Sequence, residues 1–396
     1  MVSKENRLLI ERLPVLCLLA VWMPQYIYRL FYDARLFFEF DSGIYILMTC
    51  AITAYIAGSF VIRRALILFR NGVYSAKFKL KSPISDHRYN IVIILLLALS
   101  SLFIYFNLIS IYLSGQSLND ARNLSLEDWS SGGFLIKANA VIINLVLSMM
   151  IAAVAAGYQK NRKIPWVSLT AFILLTVAAY SRTHLLIGLT VIALAVIKDH
   201  PKPFRIIATV FSSFLILFML LSIVTKDNSS STLGSLEIAI IQLEVYFFGG
   251  VAGLDFYNAL NFPSYNTLLT IPKILHTILP LSMDLPPSYY DFVDTTPPIN
   301  VFSAIYPPFH DFGIMGIFIF FFIYGLVATF ACHRYVRTNS LVWLIVASFF
   351  VYCTLMSVFD DQFIRGLPVF IMFVSGSFLF ERMTTSRNYK GLHAAA

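Results

Sequence analysis

Charge is scarce in this sequence. Asp, Glu, Lys and Arg make up 13% of its 396 residues, about half the share of a soluble domain. Hydrophobic residues reach 58%. Such a chain cannot clothe a water-facing surface in polar groups, which excludes a soluble globular protein and leaves one embedded in lipid. Cysteine is scarce too. Cys17, Cys50, Cys332 and Cys353 lie in or beside apolar stretches and form no CxxC, so neither a disulfide framework nor a thiolate metal centre is expected. The signatures GxxxxGK[ST], HExxH and GxSxG are missing, which removes the phosphate loop, the helical zinc site and the nucleophile elbow. No DxD falls in a loop read as cytoplasmic, and no sizeable cytoplasmic stretch exists to hold a nucleotide. No cofactor and no metal are expected.

What is present is a series of long apolar runs. A helix crosses the hydrocarbon core with about 20 such residues. The runs predict about ten spans, near 13–31, 43–61, 91–113, 133–157, 166–180, 184–197, 206–224, 312–332, 341–359 and 367–380. The fold class expected is an all-α, polytopic integral membrane protein, a single membrane domain over 1–396. Lys4, Arg7 and Arg12 precede the first run and no small-residue cleavage site follows, so it reads as a span and not as a removed signal peptide.

Lys and Arg orient the spans. With these boundaries the basic loops, at 63–88, 160–163, 198–205, 334–337 and 382–390, and the N-terminus share one side. That side carries 21 of the 29 Lys and Arg and 5 of the 21 Asp and Glu. Both termini are therefore expected in the cytoplasm. The net charge of +8 reads as a topology and headgroup signal, with no nucleic-acid partner.

Two stretches stand out. Runs 166–180 and 184–197 have basic residues at both outer ends, which demands a hairpin of short arms turning at Ser181-Arg182-Thr183. Backbone below the membrane surface is tolerated only where protein or a wet cavity surrounds it. The other stretch, 226–311, is a long outer loop. It contains a mostly apolar helix over 236–260, lying in the interface or packed over the bundle. A Pro/aromatic segment over 285–312 follows, where prolines disfavour helix.

Outer-side arginines are the first candidates for chemistry, because a guanidinium is always charged and its planar fork matches phosphate oxygens. They are Arg29, Arg35, Arg122, Arg182 and Arg365. Arg29 and Arg35 flank Asp33 and mark a span end. Arg122 lies in a short outer loop, with a solvated charge as the plain alternative. Arg182 sits at membrane depth, where a charge is costly and points to function; an ion pair or snorkelling is the alternative. Arg365 follows Asp360-Asp361, with pairing to those acids as the alternative. His310-Asp311 heads the eighth span. A histidine can serve as a base near neutrality, and Asp311 can orient it, act itself or cap the helix. Neighbours in a helix point apart, so the two are not expected to form a ready dyad. Tyr289, Tyr290 and Tyr306 can stack on sugar rings or belong to an interfacial belt. Glu244 is a reserve base.

Ala179-Tyr180-Ser181-Arg182-Thr183-His184-Leu185-Leu186 resembles the S-R-[ST] element before an apolar run in Wzy-type O-antigen polymerases, a family of oligosaccharide repeat-unit polymerases. Pro298-Ile299-Asn300-Val301-Phe302-Ser303, followed by Asp311-Phe312-Gly313-Ile314-Met315-Gly316, is similar to that family's segment before a late span. The layout of many spans with one long late loop resembles it too. The Arg-x10-Gly spacing of some members occurs once, from Arg122 to Gly133, with no second copy in the long loop. The resemblance implies a glycosyltransferase of the bacterial inner membrane with its site facing the periplasm. Its partners are undecaprenyl-pyrophosphate-linked oligosaccharides, membrane lipids and a polysaccharide chain-length regulator. In that scheme Arg182, Arg122 and Arg365 bind pyrophosphate, His310 or Asp311 takes the acceptor's proton, and Tyr289, Tyr290, Asn300 and Tyr306 line the glycan groove. An O-antigen ligase and a lipid-linked oligosaccharide flippase are the competing readings.

Overall fold

The computed structural model describes residues 4–28, 42–72, 84–114, 134–161, 165–179, 182–209, 243–259, 265–278 and 299–385, with 163, 212, 216, 240–241, 284–287 and 290. Among them the structure is helical, and one isolated bridge pairs Ile84 with Thr385. The long helices are α1 (Lys4–Tyr28), α2 (Ser42–Gly72), α3 (Asp86–Ser114) and α4 (Phe134–Asn161). Then come the hairpin arms α5 (Trp166–Ala178) and α6 (Arg182–Ile197), and α7 (Gly250–Ala259), entered through a π-helical turn at Val245–Gly249. A short α8 (Lys273–Ile278) precedes α9 (Tyr306–Thr338), α10 (Leu341–Met356), α11 (Gln362–Arg365) and α12 (Leu367–Thr384). Six of these, α1 to α4, α9 and α12, contain stretches long and apolar enough to cross a membrane; α5, α6 and α10 are shorter apolar helices.

The predicted hairpin is present as two helices of 13 and 16 residues that pack on each other. Its turn lies earlier than expected, because Arg182 already begins α6. Of the run at 206–224, helix is described over 203–209; most of the rest lies outside the described residues.

Two sets of helices share the core. In one, α9 packs against α1, α2 and α10; in the other, α4 packs against α3, α5 and α12; α6 and α10 join them. The closest approach is α2 on α9. A Cβ on Gly58 would overlap the Phe322 carbonyl, and one on Gly325 would overlap the Tyr55 carbonyl. Small residues let backbones meet where lipid supplies no hydrophobic drive. Polar pairs flank the contact: the Ser59 and Thr329 hydroxyls lie 2.7 Å apart in the α2–α9 seam, and those of Tyr55 and Thr354 lie 2.7 Å apart between α2 and α10.

Helix ends meet in a pattern. The Asn6 amide donates to the carbonyls of Lys198 (3.2 Å) and His200 (2.9 Å), and Lys198 Nζ donates to Asn339 Oδ1 (2.5 Å). His333 pairs with Glu11 (2.9 Å), Lys160 pairs with Asp86, and Arg88 donates to the Thr385 carbonyl (2.8 Å). Each contact joins ends that the sequence assigns to one basic side. At the other end Tyr28 stacks on Phe248, and Gln25 donates to the Phe247 carbonyl.

In the long loop one open placement narrows and one expectation changes. Of the two placements for 236–260, the described part packs over the bundle: Val251, Ala252 and Leu254 are buried, and Gly250 lies against the carbonyls of Val358 and Phe359. Second, helix begins at Tyr306 and not at Phe312, with Pro307 and Pro308 in its first turn. Proline is suited to that position, where its missing N–H has no partner to lose.

Candidate functional site

Gly313 interrupts α9. Its φ of 60° and ψ of −150° are non-helical, a combination essentially confined to glycine. The arm before it, 306–312, folds back so that Gly316 lies against the Pro308 carbonyl. His310 and Asp311 ride on this arm.

Contrary to the expectation that neighbours point apart, the two side chains pair, with His310 Nδ1 2.7 Å from Asp311 Oδ1. Nor does Asp311 cap its own helix. Leu269 N–H donates to Oδ1 (3.1 Å), while Thr270 N–H (2.8 Å) and the Thr270 hydroxyl (2.6 Å) donate to Oδ2. The turn at 269–270 thus docks on the carboxylate and aims one of its lone pairs at His310. Burial works against the Asp311 charge, but the hydrogen bonds from His310, Thr270 and Leu269 outweigh it and hold the carboxyl below its ordinary range, so a charged Asp311 takes His310 Nδ1 as its donor and leaves Nε2 as the acceptor. Asp311, with four donors and a fully covered side chain, positions the histidine and is a poor base itself.

Beyond His310 runs a chain of rings. Tyr306 and Tyr265 each lie with ring centroids 6.0 Å from His310, and Tyr290 meets Tyr306 edge to face at 4.9 Å. Phe302 closes the group, 5.3 Å from Tyr290 and 4.8 Å from Tyr306. Tyr290 and Tyr306 are buried. Their faces are occupied by protein in this arrangement, and they act as the framework between two polar groups.

The second polar group is the turn between α10 and α12. The Arg365 guanidinium lies 5.1 Å over the Tyr290 ring, and its Nη1 donates to both oxygens of Asp360 at 3.0 and 3.1 Å. Gln362 Nε2 donates to Asp360 Oδ2 (2.9 Å). Burial lowers the tendency of Arg365 to stay protonated, but the neighbouring Asp360 charge outweighs it and the guanidinium is held more firmly cationic. Asp361 caps α11, accepting from the N–H groups of Phe363 (2.9 Å) and Ile364 (3.2 Å), and the Tyr324 hydroxyl donates to it (3.0 Å). Full burial, and next the charge of Asp360, push its carboxyl up to about 7.

The structure therefore brings His310, Asp311, Tyr306, Tyr290 and Arg365 together. Asn300 is partly buried, two residues before Phe302. Glu244 is partly buried at the entry to the π-helical turn. Arg182 opens α6, and its side chain lies outside the described residues, as do Arg29, Arg35, Arg122 and Tyr289. Tyr265 and Thr270 were invisible to sequence reasoning, since nothing in their neighbourhood marks them. His184, two residues after Arg182, is buried against Phe373 with ring centroids 5.4 Å apart. No group of three or more His, Cys, Asp or Glu able to hold a metal occurs among the described residues. Comparison with protein-family models, curated proteins and solved structures returned no match for this chain.

Proposed function

We propose that this chain is a glycosyltransferase of the bacterial inner membrane that polymerises undecaprenyl-pyrophosphate-linked repeat units. Both termini lie in the cytoplasm, and the site formed by His310, Asp311 and Arg365 faces the periplasm. The observation that supports this most is the convergence at one helix end of the two late segments that resemble the O-antigen polymerases. Residues 299–303 run beside α7, with Ser303 N–H donating to the Gly250 carbonyl (3.0 Å). His310 and Asp311 lie next to them along the chain of rings.

In this reading His310 Nε2 accepts the proton of the acceptor hydroxyl as that oxygen attacks the donor's reducing-end carbon. The bond from that carbon to the pyrophosphate oxygen breaks, and undecaprenyl pyrophosphate leaves with the electron pair. Arg365, with Arg182 and Arg122, stabilises the charge that develops there. The activated donor supplies the driving force, which agrees with the lack of nucleotide signatures. Asn300 and Tyr289 contact the glycan, and Tyr290 and Tyr306 hold the two arms of the site in place.

The test is a lipopolysaccharide gel from a host deleted for the gene, with and without the cloned chain. Conversion of one-repeat bands into a long ladder on complementation supports the polymerase. Loss of even the one-repeat band on deletion moves the assignment to a ligase or a flippase.

A further inference from the structure

At the opposite, basic end, the face of α2 that carries Gly58 and Ser59 continues one turn later to Arg63. There α1 and α9 meet it. Glu11 and Arg12 of α1 lie within electrostatic reach of the Arg63 guanidinium, as does Cys332 of α9. The Arg12 charge thus reaches the Arg63 guanidinium. Among the described residues the acid whose charge reaches Arg63 is Glu11, and it is partly committed elsewhere, because its Oε1 pairs with His333 Nδ1 at 2.9 Å. Arg63 Nε is buried and has no hydrogen-bond partner. Arg64, next along, lies 5.1 Å over the Phe60 ring on the exposed side of the helix. A buried guanidinium N–H without an acceptor is costly, while the Arg12 repulsion at Arg63 is smaller than the Glu11 attraction. The cost of the unpartnered Nε vanishes if an anion supplies its acceptor.

The depth selects the kind of anion. Arg63 is 20 residues along α2 from Gly43, where the candidate span begins, about 30 Å at 1.5 Å per residue. That is the thickness of the hydrocarbon core, so Arg63 lies at headgroup level when Gly43 lies at the other surface. His333 is 20 residues from Gly313, the break in α9, and reaches the same level by the same rise. Basic pockets between helices at this level suit phosphate-bearing headgroups. We propose that the junction of α1, α2 and α9 is a binding site for the phosphodiester of an anionic phospholipid of the adjacent leaflet, taken by Arg63 and Arg12 with Arg64 at the rim.

The site is remote from His310 and Arg365 and stands independently of the polymerase reading. The test uses the full chain purified in a neutral detergent, with native mass spectrometry to count retained lipid and a thermal melt read on adding phosphatidylglycerol, phosphatidylcholine or inorganic phosphate. The wild type should retain phosphatidylglycerol in preference to phosphatidylcholine and melt several degrees higher with it. Arg12→Gln should weaken that shift, and Arg12→Gln with Arg63→Gln should abolish it. Arg382→Gln, at the end of α12, should keep it. Arg12 is exposed, so its single variant is expected to fold and keeps the test decisive if the double variant does not. An undiminished shift in Arg12→Gln overturns the proposal. So does an equal shift with inorganic phosphate at matched phosphate concentration, which would make the site one for the free anion, or no preference for phosphatidylglycerol in the wild type.

Discussion

Asp311 offers the sharpest test of the site, because its worth can be counted bond by bond. Its carboxylate accepts from His310 Nδ1, Leu269 N–H, Thr270 N–H and the Thr270 hydroxyl, all within 3.1 Å. A hydrogen bond to a charged group contributes about 1.5–3 kcal/mol, and a buried donor left without a partner costs about 1–3 kcal/mol. Asp311→Ala strands two backbone N–H groups and frees the 269–270 turn, a loss of about 2–6 kcal/mol after water repairs part of it. Asp311→Asn keeps one acceptor oxygen but turns an NH2 toward groups that are themselves donors, so it should cost about 1–3 kcal/mol. Both variants are measured by thermal melting in detergent and by the lipopolysaccharide ladder. The alanine variant should melt markedly lower and make no polymer. The asparagine variant should fold, with polymer reduced through misplacement of His310, whose own loss as a general base is worth about 10²–10⁴ in rate. If Asp311→Ala melted like the wild type and gave a full ladder, the clamp and the positioning role would both be refuted.

Other perturbations probe separate parts of the molecule. Arg182→Ala should abolish polymer at unchanged protein level, checked by immunoblot beside the gel; a normal ladder removes Arg182 from the proposed pyrophosphate site. Gly313→Ala forces a side chain into a φ of 60° and should cost about 1–3 kcal/mol, seen as a lower melting temperature with loss of ladder. Its control is Ile371→Leu on the exposed face of α12, which should melt like the wild type. Asp361, raised to about 7 from 3.8, holds a proton in the folded state that the unfolded chain has already released. The contribution of Asp361 to stability should therefore be fully present below pH 4, fall as pH rises from about 4 to 7 and level off above, a total on the order of 4 kcal/mol. Asp361→Asn keeps an oxygen for the Phe363 and Ile364 N–H groups and should flatten that slope; an unchanged slope would place the titration elsewhere.

The membrane character and most helices were legible because apolar runs of sufficient length leave few alternatives in lipid. The hairpin at 166–197 was legible for a subtler reason: basic residues flank it on both sides, so one continuous span would have put Lys163 and Lys198 on opposite faces. The start of α9 was hidden by Pro307 and Pro308. Taken as helix breakers they argue against a helix, but in the first turn they open one, and only the backbone distinguishes the two positions. Asp311 as a candidate came from residue type, yet its partners could not be read. Leu269 and Thr270 lie some forty residues upstream in a stretch without periodicity, and hydrogen bonds from backbone N–H groups leave no mark on composition.

The same pairing explains why two carboxylates at this end of the bundle serve different ends. Asp311 is surrounded by donors and stays charged, so it can fix the tautomer of His310 and leave Nε2 basic. Asp360 faces the Arg365 cation and keeps it protonated while holding it over Tyr290. In the proposed reaction the base and the anion-binding cation must not neutralise each other. The buried rings of Tyr290 and Tyr306 keep His310 and Arg365 in one site without direct contact between their polar groups. It follows that Tyr306→Ala, which opens this wall, should damage both functions at once. Polymer should fall further than with loss of Arg365 alone, while Tyr306→Phe, which preserves the ring, should retain the ladder. A full ladder in Tyr306→Ala would show that the wall is dispensable and that the two polar groups act independently.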